Sequence, residues 1–533
     1  MIKLYGKTAK ALVLFTGSFL LSFSSQAQSL RNLMKIGDKF FALENYRSAI
    51  PYYEQILNEN SDNAEALFKA GVSYLAYDKD KASDYLYKAQ RLTPNVSPDI
   101  EYWLGRVDHV NYRFEDAIQH FELYVGTLTK NAPARKEIAL LMEQSRFADK
   151  MVRNPKDLFV RNLGPTINTP FSDHSPVIAR DGKTLIYTTR SSNFTSNHTE
   201  TDGEYDEEIV EVVRLDDNNW SAPRSLSLHL NSRGHDASIQ LFDNDTKLLL
   251  YRQTENGDFY YSKKNNQDWS NPQKLSGSVN SSGYESDAFI SADGSTMYFA
   301  SNHYSKAGDK DLFVSQKTAQ GEWGKPKNLG KTINTSMDED SPFLTADGKT
   351  LYFTSRGHNS MGGSDVFVTH FDLKSQTWSE PENMGYPVNS PDDDTYFRLS
   401  ADGTMAYLSS YRMGGYGEKD LWSIDLSKNV LVRGKISDSL EDTATGEIEV
   451  VFSSKPLHNK MLSYTVTLTP DTRTFELPVQ SGRTYQVTFS KNGQVLATQE
   501  YEVPATVAED VVLSKDFALS FAKLPKESAA KGN

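Results

Sequence analysis

Along the chain the spacing of apolar and polar positions changes twice, and each change marks a boundary. Between residues 28 and 153 small and apolar residues recur at helical spacing, in pairs of segments about 34 residues apart. Gly37, Phe40, Ala49 and Tyr53 return as Gly71, Tyr74, Ala82 and Leu86, with Ala89 and Pro94 closing the second unit, and a third unit carries Leu104, Gly105, Ala117 and Phe121. Small residues at these places let two antiparallel helices approach closely, while large ones fill the groove between pairs. The stretch from Ala132 to Val152 predicts one amphipathic helix that caps the last pair, because a terminal repeat otherwise exposes its apolar face. The helical unit reads as separable from the rest of the chain.

From about residue 156 the period becomes that of strands. Asp181-Gly182, Asp293-Gly294, Asp347-Gly348 and Asp402-Gly403 each sit between apolar-aromatic runs, with Asp243-Asn244 in the same slot; the spacings are 62, 50, 54 and 55 residues. Asp-Gly is a strong hairpin signal because glycine takes a positive φ without steric cost. In register with these turns run Asn168, Asn231, Asn280, Asn334 and Asn389, each between a β-branched or leucine residue and Ser or Thr, and four Trp-x-x-Pro steps at Trp220, Trp269, Trp323 and Trp378. Five copies of about 50 residues, each with four short strand patterns, predict a five-bladed β-propeller over 156–428. The fifth unit has no Trp-x-x-Pro strand, whereas Leu158 to Gly164 precede the first and end in the Asn-Leu-Gly found again at 328–330. A strand from 158–163 is expected to complete the last blade and close the circle.

Residues 430–515 alternate strongly, at 430–436, 474–479, 485–489 and 511–513, with turn signals at Ser481-Gly482 and Asn492-Gly493. This predicts a small β-sandwich, with a polar tail after it over 516–533. The fold class is therefore multidomain α + β: helical solenoid, propeller, sandwich.

Composition alters this picture in three ways. Residues 1–27 carry Lys3, Lys7 and Lys10, an apolar run from Ala11 to Phe23, and Ser25-Gln26-Ala27, the pattern of a cleaved secretory signal. The run of 13 falls short of the roughly 20 residues that span a bilayer. Export to the periplasm is expected, with cleavage before Gln28. The chain has no cysteine, which excludes disulfides, thiol catalysis, Cys-ligated zinc and a lipid-modified cysteine anchor. Its 57 Lys+Arg against 70 Asp+Glu give a net charge of −13, so a surface built for nucleic-acid phosphates is not expected.

No Gly-x-Ser-x-Gly elbow, His-Glu-x-x-His, phosphate loop or dinucleotide fingerprint is present, and no catalytic residue or cofactor is assigned. One constellation recurs. Eight residues before each turn Asp stands Asp173, His235, Glu285, Glu339 or Asp394, with Asp236, Asp287, Asp340 and Asp393 nearby. At the start of the innermost strands, Asp173, Glu285, Glu339 and Asp394 would ring one channel mouth and take a hard cation such as Ca²⁺ through oxygen ligands. The preferred reading is that each acid caps a turn or bonds backbone N–H groups of the adjacent blade, which leaves no metal site. The tryptophans read as packing between blades, and Phe40, Tyr53, Tyr74 and Phe121 as helical core. The acidic loop Arg190 to Glu208, with Glu200, Asp202, Glu204, Asp206, Glu207 and Glu208, reads as solvated surface or as docking surface for a basic partner.

These motifs carry a resemblance. The 34-residue units resemble tetratricopeptide repeats, although Ser83 stands where strict spacing wants Ala. The propeller units resemble PD40 (WD40-like) repeats, and the run Ser355 to Phe367 is similar to that of a subgroup found in Bacteroidota envelope proteins. The third region looks like a carboxypeptidase-regulatory-like domain. In that order they resemble PorE-type proteins of type IX secretion and their OmpA-fused relatives. Those usually add an OmpA-like peptidoglycan-binding domain and are often lipoproteins; this chain has neither feature, so direct peptidoglycan binding is not carried over. The resemblance implies a non-enzymatic periplasmic scaffold at the outer membrane, peripherally associated, with barrel or secretion-system proteins as partners. The alternative is a carbohydrate- or cation-binding propeller of the envelope.

Overall fold

The computed structural model describes residues 28–519 apart from 192–193, 195–202, 217–218, 255, 267, 306–309, 439–446, 455–460, 470–472, 505, 507 and 509–510. The secretory signal, Glu200, Asp202 and residues beyond 519 lie outside the described residues. Helix α1 (28–42) is followed by α2 (Tyr46–Glu59), α3 (Ala64–Tyr74), α4 (Lys79–Leu92), α5 (Ile100–Val110), α6 (Phe114–Thr127) and α7 (Ala134–Arg153). Asn45, Asn63 and Asp78 cap α2, α3 and α4 by accepting from the N–H of Ser48, Ala66 and Lys81. The repeating glycines sit where the pattern needs them. A Cβ on Gly37, Gly71 or Gly105 would come within 2.8, 2.8 and 2.5 Å of Tyr53, Leu86 and Phe121, the large residues of the paired helix.

Between α7 and residue 428 the described residues form five antiparallel sheets. Sheet 1 runs Asp173–Ile178, Thr184–Thr189, Glu208–Val213, Arg224–Ser225. The inner three strands of sheets 2 to 5 begin, respectively, at Asp236, Lys247 and Asp258; Glu285, Thr296 and Asp311; Glu339, Thr350 and Asp365; and Asp394, Met405 and Asp420. In sheet 5 the outer strand is Phe159–Asn162, paired antiparallel with Asp420–Asp425, so the N-terminal strand completes the last sheet as expected. Hydrogen bonds join neighbours all the way round. Ser238 Oγ donates to Ser175 O at 2.8 Å, Gln240 Nε2 to Ile290 O at 2.9 Å, and Ser286 Oγ to Asp340 at 2.9 Å. Arg398 Nη1 reaches Ser341 O at 3.4 Å, and Asp173 N donates to Lys419 O at 2.7 Å, which closes the cycle. This is a β-propeller arrangement behind a helical N-terminal region.

Each repeated asparagine is a weld between sheets. Its side-chain amide accepts from, and donates to, one residue of the preceding sheet's third strand: Asn231 with Ile209, Asn280 with Phe259, Asn334 with Leu312, Asn389 with Val366, and Asn168 with Leu421. Trp269 and Trp323, both buried, pack in the apolar layers between sheets 1 and 2 and sheets 2 and 3. Gly182, Gly294, Gly348 and Gly403 occupy the hairpin turns with φ between +66° and +72°.

Residues 429–519 form a three-stranded sheet (474–480, 429–438, 512–519) and a four-stranded sheet (463–468, 448–454, 483–491, 494–503). They share one core containing Phe452, Phe475, Tyr485, Phe489 and Phe517. The last strand runs to Leu519, four residues into the segment read as tail. Buried Arg483 donates to Asp425 at 2.8 Å and ties this unit to sheet 5.

The helical region is not a separable appendage. Lys79 Nζ, only 8% exposed at the start of α4, donates to Tyr411 O at 2.5 Å and pairs with Asp392 at 3.1 Å. Phe114 and Ala148 share an apolar cluster with Met361 and Tyr386 of the ring, and Arg47 lies between the rings of Tyr77 and Phe171. Gly362 permits a close approach, since a Cβ there would stand 3.0 Å from His109 Nε2 and 2.0 Å from Pro391 O. Helix α7 thus does more than cap the repeats: Ala148, Phe147 and Met151 carry its apolar stripe onto the ring.

Candidate functional site

The recurrent acids start the inner strands, but they do not converge on a channel mouth. Each bends back to the turn four residues earlier. Asp173 accepts from Thr169 N at 2.6 Å, Glu285 from Ser281 N at 3.0 Å, Glu339 from Thr335 N at 2.8 Å, and Asp394 from Ser390 N at 2.5 Å. The fifth member is Asp236, not His235, and it accepts from Ser232 N at 2.5 Å. The spacing differs here because the turn of sheet 2 offers Asn244, not Asp243, at the slot eight residues on from Asp236. In four of the five the acid is also met by a hydroxyl or a guanidinium group: Ser301 on Glu285, Ser355 on Glu339, Arg252 on Asp236 and Arg412 on Asp394. Burial pushes Asp173 and Glu339 up to about 7, against the hydrogen bonds that favour their ionised forms. Among the described residues no three His, Asp or Glu side chains come together as a metal would require.

What faces the channel is the next layer of residues, one or two positions along each inner strand. There the strands bulge, between His174 and Val177, Glu285 and Ala288, Asp340 and Phe343, and Thr395 and Arg398. Within these bulges Ser175, Ser341 and Tyr396 take φ of 53°, 52° and 55°, the left-handed region that side chains rarely adopt. The bulges turn His174, Asp287 and Tyr396 into a cavity that Tyr251, Tyr284 and Glu207 also line. His174 Nε2 lies 3.2 Å from Glu207, and its ring stacks on Tyr396 at 5.6 Å between centroids. Asp287, 1% exposed, pairs with Arg398 at 2.7 Å, while Asp340 bonds Lys310. The neighbouring histidine holds the Glu207 carboxyl down at about 2 despite its burial, whereas burial raises Asp287 to about 6.

Of these residues the repeat pattern named only Asp287, Asp340 and Glu207, the last as part of the acidic loop. Periodicity missed the others because the bulges put different residue types, His, Ser, Asp and Tyr, at equivalent places. The acidic loop itself is partly built in: Glu204 pairs with Arg47 of α2 at 2.7 Å, and Glu207 faces the channel.

Neither a family model nor a curated protein matches the chain. Among solved structures it is similar to Kuenenia stuttgartiensis hydrazine synthase (16% identity, 48% of this chain and 57% of that one, TM-score 0.26). It is also similar to an α-L-arabinofuranosidase from Lactobacillus brevis (13% identity, 49% and 91%, TM-score 0.34). A third is a fructofuranosidase from Schwanniomyces occidentalis complexed with fructose (8% identity, 65% and 93%, TM-score 0.33). The chain spans less than two thirds of the hydrazine synthase chain. Likenesses this distant say nothing of the chemistry here; the description of the ring rests on its strand pairing.

Proposed function

We propose that this protein is a non-enzymatic scaffold of the bacterial periplasm, exported by residues 1–27 and held peripherally at the outer membrane. In this reading the helices are tetratricopeptide-type repeats, the sheets are a five-bladed PD40 propeller and residues 430–515 are a β-sandwich of the carboxypeptidase-regulatory kind. Its partners are outer-membrane barrels or components of a secretion machine, type IX among them. The observation that supports the reading is the joint between helices and ring. Buried Lys79 with Asp392, and Phe114 and Ala148 with Met361, fix two extended surfaces at one angle. A scaffold needs that rigidity, because holding two partners in register is its whole output.

Crosslinking in cells, with affinity capture and identification of the adducts, tests it. Barrel and secretion components are the expected adducts, in a fraction released from the outer membrane by urea without detergent. A lipid-modified or uncleaved N-terminus, or glycans with no protein adduct, would overturn it.

A further inference from the structure

We propose that the seam closing the ring is a proton-operated latch: Asp420 of sheet 5 and Asp173 of sheet 1 carry one proton between them, and its loss loosens the strand 159–162. This goes beyond the scaffold reading and stands without it. A second row of acids opens the third strands of the sheets, at Glu208, Asp258, Asp311, Asp365 and Asp420. Backbone bonds set this row beside the first. Asp236 N donates to Glu207 O, Glu339 N to Lys310 O, Asp394 N to Ser364 O and Asp173 N to Lys419 O, in each case the carbonyl just before the second acid. Two buried carboxyls therefore flank these seams. Three seams bring in a cation as well: Arg252 bonds Asp236, Lys274 bonds Asp258 and Arg412 bonds Asp394.

The closing seam differs. Asp173 and Asp420 are both fully buried, and among the described residues neither makes an ion pair. Each spends Oδ2 on N–H donors, Thr169 N on Asp173, and Tyr416 N and Asn162 Nδ2 on Asp420, all at 2.6 Å. Each leaves Oδ1 buried without a hydrogen-bond partner. The charged and titratable groups around them are engaged elsewhere: Lys79 with Asp392, Lys419 over the rings of Tyr396 and Tyr411, and the Tyr187 hydroxyl on Ile167 O. Two buried carboxylates without a cation repel each other and lose their hydration, so the seam closes on one negative charge and one proton. Burial raises both groups, Asp173 up to about 7, and the Asp420 charge adds to that rise. Asp420 reaches the closing strand through Asn162, whose Oδ1 accepts from Asn168 Nδ2 at 2.8 Å, so the proton sits on the network that welds Asn168 to Leu421. The closed seam binds the proton more tightly than the open one. Closure is thus firmest in acid, weakens as pH rises from about 4 to 7, and is level above.

Hydrogen-exchange mass spectrometry on the full chain from pH 5 to pH 9 tests the latch, with rates corrected for the intrinsic effect of pH on exchange. Relative to the sheet 3 strand Thr296–Ser301, protection of 158–163 should fall about tenfold or more between pH 5 and pH 7.5 and then level off. Asp173→Asn combined with Asp420→Asn removes both charges and keeps both acceptors, so 158–163 should stay protected with less than about a twofold change across the range. Asp365→Asn, at a buried acid of sheet 4, should leave the wild-type profile in place. Three results overturn the proposal: wild-type protection of 158–163 that does not change with pH, a loss shared equally by the sheet 3 strand, or a wild-type profile that survives in the double variant. Where the double variant does not fold, the first two decide in the wild-type protein.

Discussion

Asn168 and Leu421 stand 253 residues apart and exchange two hydrogen bonds, from Leu421 N to Asn168 Oδ1 at 2.8 Å and from Asn168 Nδ2 to Leu421 O at 3.0 Å. One side chain thereby behaves as a strand residue and closes the ring beside the pairing of 159–162 with 422–425. Both bonds are buried, so deleting the amide leaves a backbone N–H and C=O unpaired. Asn168→Ala should lose about 1–3 kcal/mol in urea denaturation, and deletion of residues 158–163 should expose the edge of sheet 5 and cause aggregation. Unchanged stability and monomer fraction in the deletion would contradict the closure.

The joint between helices and ring makes a second prediction. Lys79→Met leaves Asp392, whose side chain is 26% exposed, without its partner at the interface, which should cost about 1–3 kcal/mol. Removing residues 28–150 should therefore destabilise the ring, since it bares Met361 and Tyr386 and leaves Asp392 without Lys79. Equal melting temperatures for the whole and the truncated chain would refute the joint.

Asp173 gives a pH dependence of definite sign. Its folded carboxyl is raised to about 7 by burial, against an ordinary value near 4. Between those values the folded state holds the proton more tightly, so this group's contribution falls as pH rises from about 4 to 7 and is flat above. Asp173→Asn keeps the acceptor for Thr169 N without the charge. Its stability relative to wild type should rise by about 1–3 kcal/mol across that window, measured by denaturation at a series of pH values. A difference that does not change with pH would show that Asp173 titrates normally.

Because Asp173, Asp236, Glu285, Glu339 and Asp394 each bond their own turn, chelator should leave the melting temperature unmoved. A drop of several degrees that Ca²⁺ reverses would restore the cation ring, since a ligand bound only to the folded state stabilises by mass action.

The repeat grammar was legible wherever one physical demand recurs. Gly37, Gly71 and Gly105 face large residues because paired helices must touch, and the Asp-Gly turns and welding asparagines recur because every sheet has the same neighbour to meet. The ring closure was legible from a missing strand at one end and a spare one at the other. Counting back from the turn of sheet 2 lands on His235 instead of Asp236, because that turn differs from the others by one residue. The channel cavity stayed hidden because bulges re-aim residues of unlike type. The joint was hidden too: Lys79, His109, Met361 and Asp392 meet once, through tertiary packing, and no period announces a contact made once.

Helices and ring form one body, and the absence of native cysteine makes that directly measurable. Cysteines introduced at exposed Leu92 of α4 and Leu373 of sheet 4 would carry two spin labels, and pulsed electron-electron resonance would read the distance between them. One narrow distance distribution is predicted, persisting in urea until the whole molecule unfolds and broadening in Lys79→Met. A broad or two-peaked distribution in the native protein would mean that the repeats and the ring move independently, which contradicts a single rigid body.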